Sequence, residues 1–149
     1  MAPAVHCRDF RAADWPAVRD LWEATGLGGA QRGDNAAMIA TTLARGGRFL
    51  VLEERAGGGL AGTAWLTNDG RRLHLHHFGI SPARQGQGLG RLLLEEVLAA
   101  ARDTGLQLKL EVHRDNARAQ DLYRRNGFAG IGDYEILMVR DLSSFRRRA

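Results

Sequence analysis

The apolar positions change period several times along the chain. Residues 5–10, VHCRDF, alternate as a strand does. Residues 14–26, DWPAVRDLWEATG, place Val18, Leu21 and Trp22 at helical spacing, with Asp14 as the cap, Pro16 in the first turn and Gly26 as the stop. LGGAQRGDN, residues 27–35, reads as a loop. Residues 35–47, NAAMIATTLARGG, form a second helical pattern with Met38, Ile39 and Leu43 on one face, broken by Gly46 and Gly47. RFLVLEE (48–54) and LAGTAWLT (60–67) then flank a glycine-rich hairpin connection, and RRLHLHHFGI (71–80) follows the turn NDG and ends before Pro82. Leu89, Leu92, Leu93, Val97, Ala100 and Ala101 mark a long helix that stops at Gly105. LQLKLEV (106–112) alternates cleanly, NARAQDLYRRNGF (116–128) is a short helix capped by Asn116, and DYEILMVRDL (133–142) reads as a last strand.

The predicted order is therefore βααβββαβαβ. Hairpin-linked strands followed by a strand–helix–strand unit imply an α+β fold, a mixed and mostly antiparallel sheet flanked by helices. No repeat or linker divides the chain, so residues 1–149 are expected to form one domain with a basic tail at 143–149.

Composition narrows the class. Hydrophobic residues make up 44% and charged residues 26%, which suits a globular chain. No apolar run approaches the ~20 residues of a membrane span, and no secretory signal is visible, so no membrane partner is expected. Cys7 is the only cysteine, which excludes an internal disulfide and makes a reducing cytoplasm the expected compartment. The net charge of +4 is carried almost wholly by arginine, and Lys109 is the only lysine. The terminal FRRRA reads as a solvated end, not a nucleic-acid arm, and no nucleic-acid motif accompanies it.

QGQGLGR, residues 85–91, lies between a strand and a helix. Gly86, Gly88 and Gly90 let the backbone turn tightly and approach a ligand, while the first N–H groups of the helix lack intrahelical acceptors. Together with the helix dipole, these make a phosphate cradle, flanked by Arg84 and Arg91. A nucleotide-hydrolysing P-loop needs four residues between its glycines and then Lys-Ser/Thr, and neither is present. The dinucleotide fingerprint is G-x-G-x-x-G, whereas the spacing here is G-x-G-x-G.

The stretch from Gln85 fits the Q/R-x-x-G-x-G/A signature of the GNAT superfamily of acyl-CoA N-acyltransferases. FGISPARQGQGLGRLLL resembles the family's strand–turn–helix block, and NARAQDLYRRNGF resembles its second block, N-x-x-A-x-x-L-Y-x-x-x-G-F. The resemblance implies acetyl-CoA as co-substrate and no metal. It implies that the backbone of Phe78, Gly79 and Ile80 pairs with the pantetheine arm. It assigns the pyrophosphate to the N–H groups of Gln85, Gly86, Gln87, Gly88, Leu89, Gly90 and Arg91. Asn116 matches an asparagine that contacts the cofactor, and it also suits a plain helix N-cap. Tyr123 matches the tyrosine that protonates the departing thiolate.

Amine acylation also needs a base, because an alkylammonium has no lone pair, and histidine titrates in the right range. Strand alternation puts His74, His76 and Phe78 on one face and Leu75, His77 and Gly79 on the other. His74 and His76 then stand ~6.6–7 Å apart. HLH resembles a stretch in one branch of the family where paired histidines lie along a water-filled proton path. Many other members carry glutamate at the position of His74, so the base is His74, His76 or a water held by both. His77 is expected to be structural. No cysteine or carboxylate nearby completes a metal ligand set.

The expected function is N-acetyl transfer by direct attack in a ternary complex. The acceptor is a small-molecule amine or a protein N-terminus, and the last strand resembles that of ribosomal-protein N-terminal acetyltransferases. Trp22, Asp34 and Asp69 are candidate holders of a cationic acceptor. A non-catalytic acyl-CoA sensor of the same fold is the alternative. The chain is expected to act as a monomer or homodimer.

Overall fold

The computed structural model describes residues 4–28 and 32–148, so part of the loop expected at 27–35 lies outside the described residues. The elements are β1 (Val5–Asp9), α1 (Trp15–Thr25), α2 (Ala36–Ala44), β2 (Arg48–Glu54), β3 (Leu60–Asn68), β4 (Arg72–Ile80), α3 (Leu89–Thr104), β5 (Gln107–Leu110) and α4 (Ala117–Arg125). Short 3₁₀ turns at Ala12–Asp14 and Pro82–Arg84 precede α1 and the glycine turn.

The sheet runs β1-β2-β3-β4-β5. Its first four strands pair antiparallel, and β4 pairs with β5 in parallel. This is the mixed, mostly antiparallel sheet that the hairpin spacing predicts. The apolar run of β2 serves both faces. Leu50 and Leu52 join Ala64, Leu66 and Leu75 under Leu93, Leu94 and Val97 of α3. Phe49 and Val51 join Trp65 against Val18, Leu21 and Trp22 of α1 and Ile39 of α2. A strand covered by helices on both sides loses the polar/apolar alternation of a half-exposed one.

Several local expectations are corrected. Leu94, more than Leu92, completes the buried stripe of α3. Met38 is 47% exposed at the rim of α2, because only Ile39 on that turn points squarely at the sheet. Asp14 does not cap α1 with its side chain; its carboxylate accepts from Arg8 Nη1 at 2.8 Å and Nη2 at 2.9 Å.

The largest correction is the last strand. Residues 133–142 form no ladder, and Tyr134, Ile136, Leu137, Met138 and Val139 are all exposed. Four consecutive apolar residues ask for burial on both faces, whereas β5 is four residues long and half-exposed. β-propensity without a matching neighbour does not make a strand.

Gly47, just before β2, is packed so closely that an added Cβ would stand 2.6 Å from Leu66 O and 2.7 Å from Thr42 O. Gly47→Ala should therefore cost about 1–3 kcal/mol in urea denaturation. Gly59→Ala, where the nearest atom is Glu54 Cγ at 3.9 Å, should change stability by less than about 0.5 kcal/mol.

Candidate functional site

The site begins where two strands part. β4 and β5 pair from Arg72↔Gln107 to Leu75↔Leu110, and then β5 ends while β4 continues to Ile80. Among the described residues, no strand lies beside the outer edge of β4 beyond Leu75. The opening is a cleft of about 710 Å³, lined by the end of β4, the glycine turn, the start of α3 and one face of α4.

The glycine turn is built as the sequence predicts. Gly86 and Gly88 have φ of 78° and 77°, a left-handed backbone that glycine adopts without strain. Leu92 N–H is the first to bond back into α3, to Gly88 O at 3.2 Å. The N–H groups of Leu89, Gly90 and Arg91 precede it and have no helical acceptor. Gln85 Nε2 donates to Ile80 O at 3.0 Å, which ties the turn to the strand end. Gln87 stands outside the cleft lining and accepts from Arg84 Nε at 3.0 Å. Arg84 also pairs with Glu54, and Arg91 pairs with Glu95 at 2.9 Å. Arg118, which the sequence motifs do not single out, lines the cleft beside Gly86.

The histidine strand departs from alternation. Trp65 faces His76 across the ladder and Thr63 faces Gly79, so one residue of β3 opposes both His77 and Phe78. This is a β-bulge, with His77 at φ 45°. It moves His77 onto the face of α1 and α2, where its ring stacks on Trp22 at 3.9 Å and lies 5.8 Å from Trp65. It moves Phe78 to the opposite face, edge-on to Tyr123 at 5.8 Å. The expected grouping of His74, His76 and Phe78 is thus replaced by His74, His76 and His77. A single positive φ reverses the facing of every residue after it, and no hydrophobic pattern signals it.

Hydrogen bonds hold the bulge. Thr63, fully buried, donates its hydroxyl to His77 O at 2.8 Å and accepts from Trp22 Nε1 at 3.0 Å. His77 Nε2–H donates to Asp34 Oδ2 at 2.7 Å, from a side chain only 4% exposed. Burial lowers the His77 pKa against the opposing pull of Asp34. His76 meets Thr67 Oγ1 at 2.9 Å, and its ring lies 6.0 Å from that of His74. Desolvation beside Trp65, then the charges of His74 and His77, lower the His76 pKa. Among the described residues no cluster of three or more His, Cys, Asp or Glu could hold a metal ion.

Tyr123 is buried on α4 between Phe78 and Phe128, and burial raises its phenol to about 12. Asn116 Oδ1 accepts from Ala119 N–H at 3.1 Å, the N-cap role its position allows. The remaining predicted site residues, His74, His76, Phe78, Gly79, Ile80, Gln85, Gly86, Gly88, Leu89, Gly90 and Arg91, line the same cleft with Asn116 and Tyr123. Of the three candidate cation holders, Asp34 reaches the cleft. Asp69 accepts from Arg71 and Arg72 N–H in the β3–β4 turn, and Trp22 is core.

Comparison with known proteins gives a consistent picture. Residues 15–128 match the Acetyltransferase (GNAT) family. The chain is 44% identical over 82 residues to the N-alpha-acetyltransferase RimI of Mycobacterium tuberculosis, covering 52% of this chain and 51% of that protein. It is 40% identical over 81 residues to a mycothiol acetyltransferase of Clavibacter michiganensis, covering 54% of this chain and 26% of that one. The chain thus spans about half or less of the length of these curated relatives. The yncA acetyltransferase of Salmonella typhimurium, solved with acetyl-CoA, superposes with a TM-score of 0.70 at 25% identity, over 85% of this chain and 80% of that one.

His76 and His77 both have folded-state pKa values below their ordinary 6.5. The unfolded chain therefore takes up protons first as pH falls, and stability present above about pH 6.5 is lost as pH drops through the folded values. Chemical denaturation between pH 7.5 and 5 should show this loss. His77→Gln should flatten it by at most about 1.4 kcal/mol per pH unit.

Proposed function

The chain belongs to the acetyltransferase (GNAT) family, and on that premise we propose that it moves an acetyl group from acetyl-CoA to a primary amine by direct attack in a ternary complex. One observation carries the reading. The gap between β4 and β5 gathers unpaired helix N–H groups, two accessible imidazoles and a buried phenol around a single opening.

The residues fit acetyl-CoA chemically. The N–H groups of Leu89, Gly90 and Arg91 at the positive end of α3 suit a pyrophosphate, with Arg118 nearby as a cation. The free edge of β4 at Phe78, Gly79 and Ile80 can pair with the amide-bearing pantetheine arm as an added strand would. The thioester then lies between the strand imidazoles and Tyr123.

The ammonium form of the acceptor loses a proton to His76, or to a water held by His74 and His76. The lowered pKa of His76 keeps it unprotonated and receptive at neutral pH. The amine lone pair forms the new C–N bond, and the C–S bond breaks. The departing thiolate takes the proton of Tyr123, whose raised pKa keeps the phenol protonated over the working range. The second proton of the attacking nitrogen leaves to solvent as the amide forms, and solvent reprotonates the phenolate. The relatives are named an N-alpha-acetyltransferase and a mycothiol acetyltransferase, and both a small-molecule amine and a protein N-terminus suit the open side of this cleft.

Calorimetry should detect acetyl-CoA binding, and thiol release should accompany acetylation in an amine and peptide panel. Binding without release on any acceptor would make the chain an acyl-CoA sensor. Tyr123→Phe should lower kcat by about a hundredfold or more while leaving acetyl-CoA affinity within about twofold. Replacing His74 and His76 together by Gln should lower kcat/KM and abolish the wild-type acid limb, which lies below pH 6.5 because the His76 pKa is depressed.

A further inference from the structure

A second recess of about 500 Å³ adjoins the cleft on the side of α2. Asp34 and His76 line both spaces. Beyond them the recess is walled by Met38, Thr41 and Trp65. Met38 is 47% exposed, a large apolar side chain left at the rim with no core to cover. Trp65 is anchored from behind, its Nε1 donating to Thr42 Oγ1 at 2.9 Å.

Asp34 is held in an unusual way. Its Oδ2 accepts from the buried His77 Nε2–H at 2.7 Å, and its side chain remains 26% exposed. Among the described residues Oδ1 takes no hydrogen bond. The carboxylate is thus fixed through one oxygen while it lines both spaces and stays partly exposed. His74, His76, His77 and His113 line the same cleft, and Arg32 also lines it. An ammonium entering a site so lined needs a fixed negative charge. Asp34 supplies one on the acceptor side of His76, whose charged form it favours more strongly than Glu111 does.

We propose that Asp34, oriented by His77, is the acceptor-anchoring residue, and that the acceptor carries an apolar group next to its ammonium, seated between Met38 and Trp65. This rests on the acetyl-transfer reading above and names the class of amine. The ammonium meets Oδ1 within reach of His76, and the apolar body extends away from the cofactor cleft into the recess. A free alkylamine and a peptide terminus with an apolar first residue present the same chemistry here.

The test is calorimetric, on the full chain, with n-propylamine to n-octylamine as probes. Affinity should rise about three- to fourfold per added methylene until the recess is filled. Asp34→Asn keeps an acceptor for His77 Nε2–H but removes the charge, and should weaken n-hexylamine at least tenfold. Asp34→Glu should recover part of that loss. Met38→Ala, at an exposed position, should flatten the dependence on chain length. If Asp34 served only to hold His77, Asp34→Asn would bind n-hexylamine within twofold of wild type, and the proposal would be overturned. Equal affinity for n-hexylamine and n-hexanol would overturn it as well. A leucyl tetrapeptide run beside n-hexylamine separates the two sources, and tight, Asp34-dependent binding of either supports the site. Thiol release is read separately. Asp34-dependent binding without acetyl transfer would keep the anchor and remove the acetyl-transfer reading. Transfer with binding indifferent to Asp34 would do the reverse.

Discussion

Thr63 lies fully buried with its hydroxyl between Trp22 Nε1 and the carbonyl of His77. The cleft depends on this contact. A bulge leaves a residue outside the ladder, and its polar groups need partners away from solvent. Thr63 answers the carbonyl, Asp34 answers the imidazole, and the Trp22 ring covers the imidazole plane at 3.9 Å. The strained φ of 45° is thereby held from three sides. With the bulge in place, β4 presents three imidazoles to one face and Phe78 to the other.

That division arranges the chemistry. The candidate base stands on the side of α1 and α2, and the candidate acid stands on the side of α3 and α4, packed on Phe78. The opening between β4 and β5 joins the two sides. In the proposed reaction, a centre placed there would have the candidate base on one side and the candidate acid on the other. Their environments shift them in opposite senses: desolvation favours neutral His76 and protonated Tyr123.

The glycine turn works by a different principle. Nothing in it titrates. Its contribution is backbone geometry, with Gly86 and Gly88 in left-handed conformations and the first residues of α3 lining the cleft. Charged side chains nearby are largely occupied, Arg84 with Glu54 and Arg91 with Glu95. The positive end of the helix is what remains on offer to an anion.

Local chemistry was legible from the chain itself. The glycine spacing, the cap at Asn116, the stop at Gly26 and the limits of β2 all follow from residues a few positions apart. The link between residues 85–91 and Tyr123 came from the family resemblance, not from spacing, and both segments line one cleft. What the linear pattern could not carry is anything that depends on a partner distant in sequence. Alternation predicts His77 on the wrong face, because the bulge is stabilised by Thr63, Trp22 and Asp34, which lie 14, 55 and 43 positions away. Residues 133–142 have the composition of a strand yet form no ladder, because a ladder needs a neighbour of matching length and burial. Asp34 looks like any loop carboxylate until the fold sets it against a buried imidazole. Propensity and spacing act over one or two turns of chain, whereas facing, pairing and burial are settled only when distant segments compete for the same space.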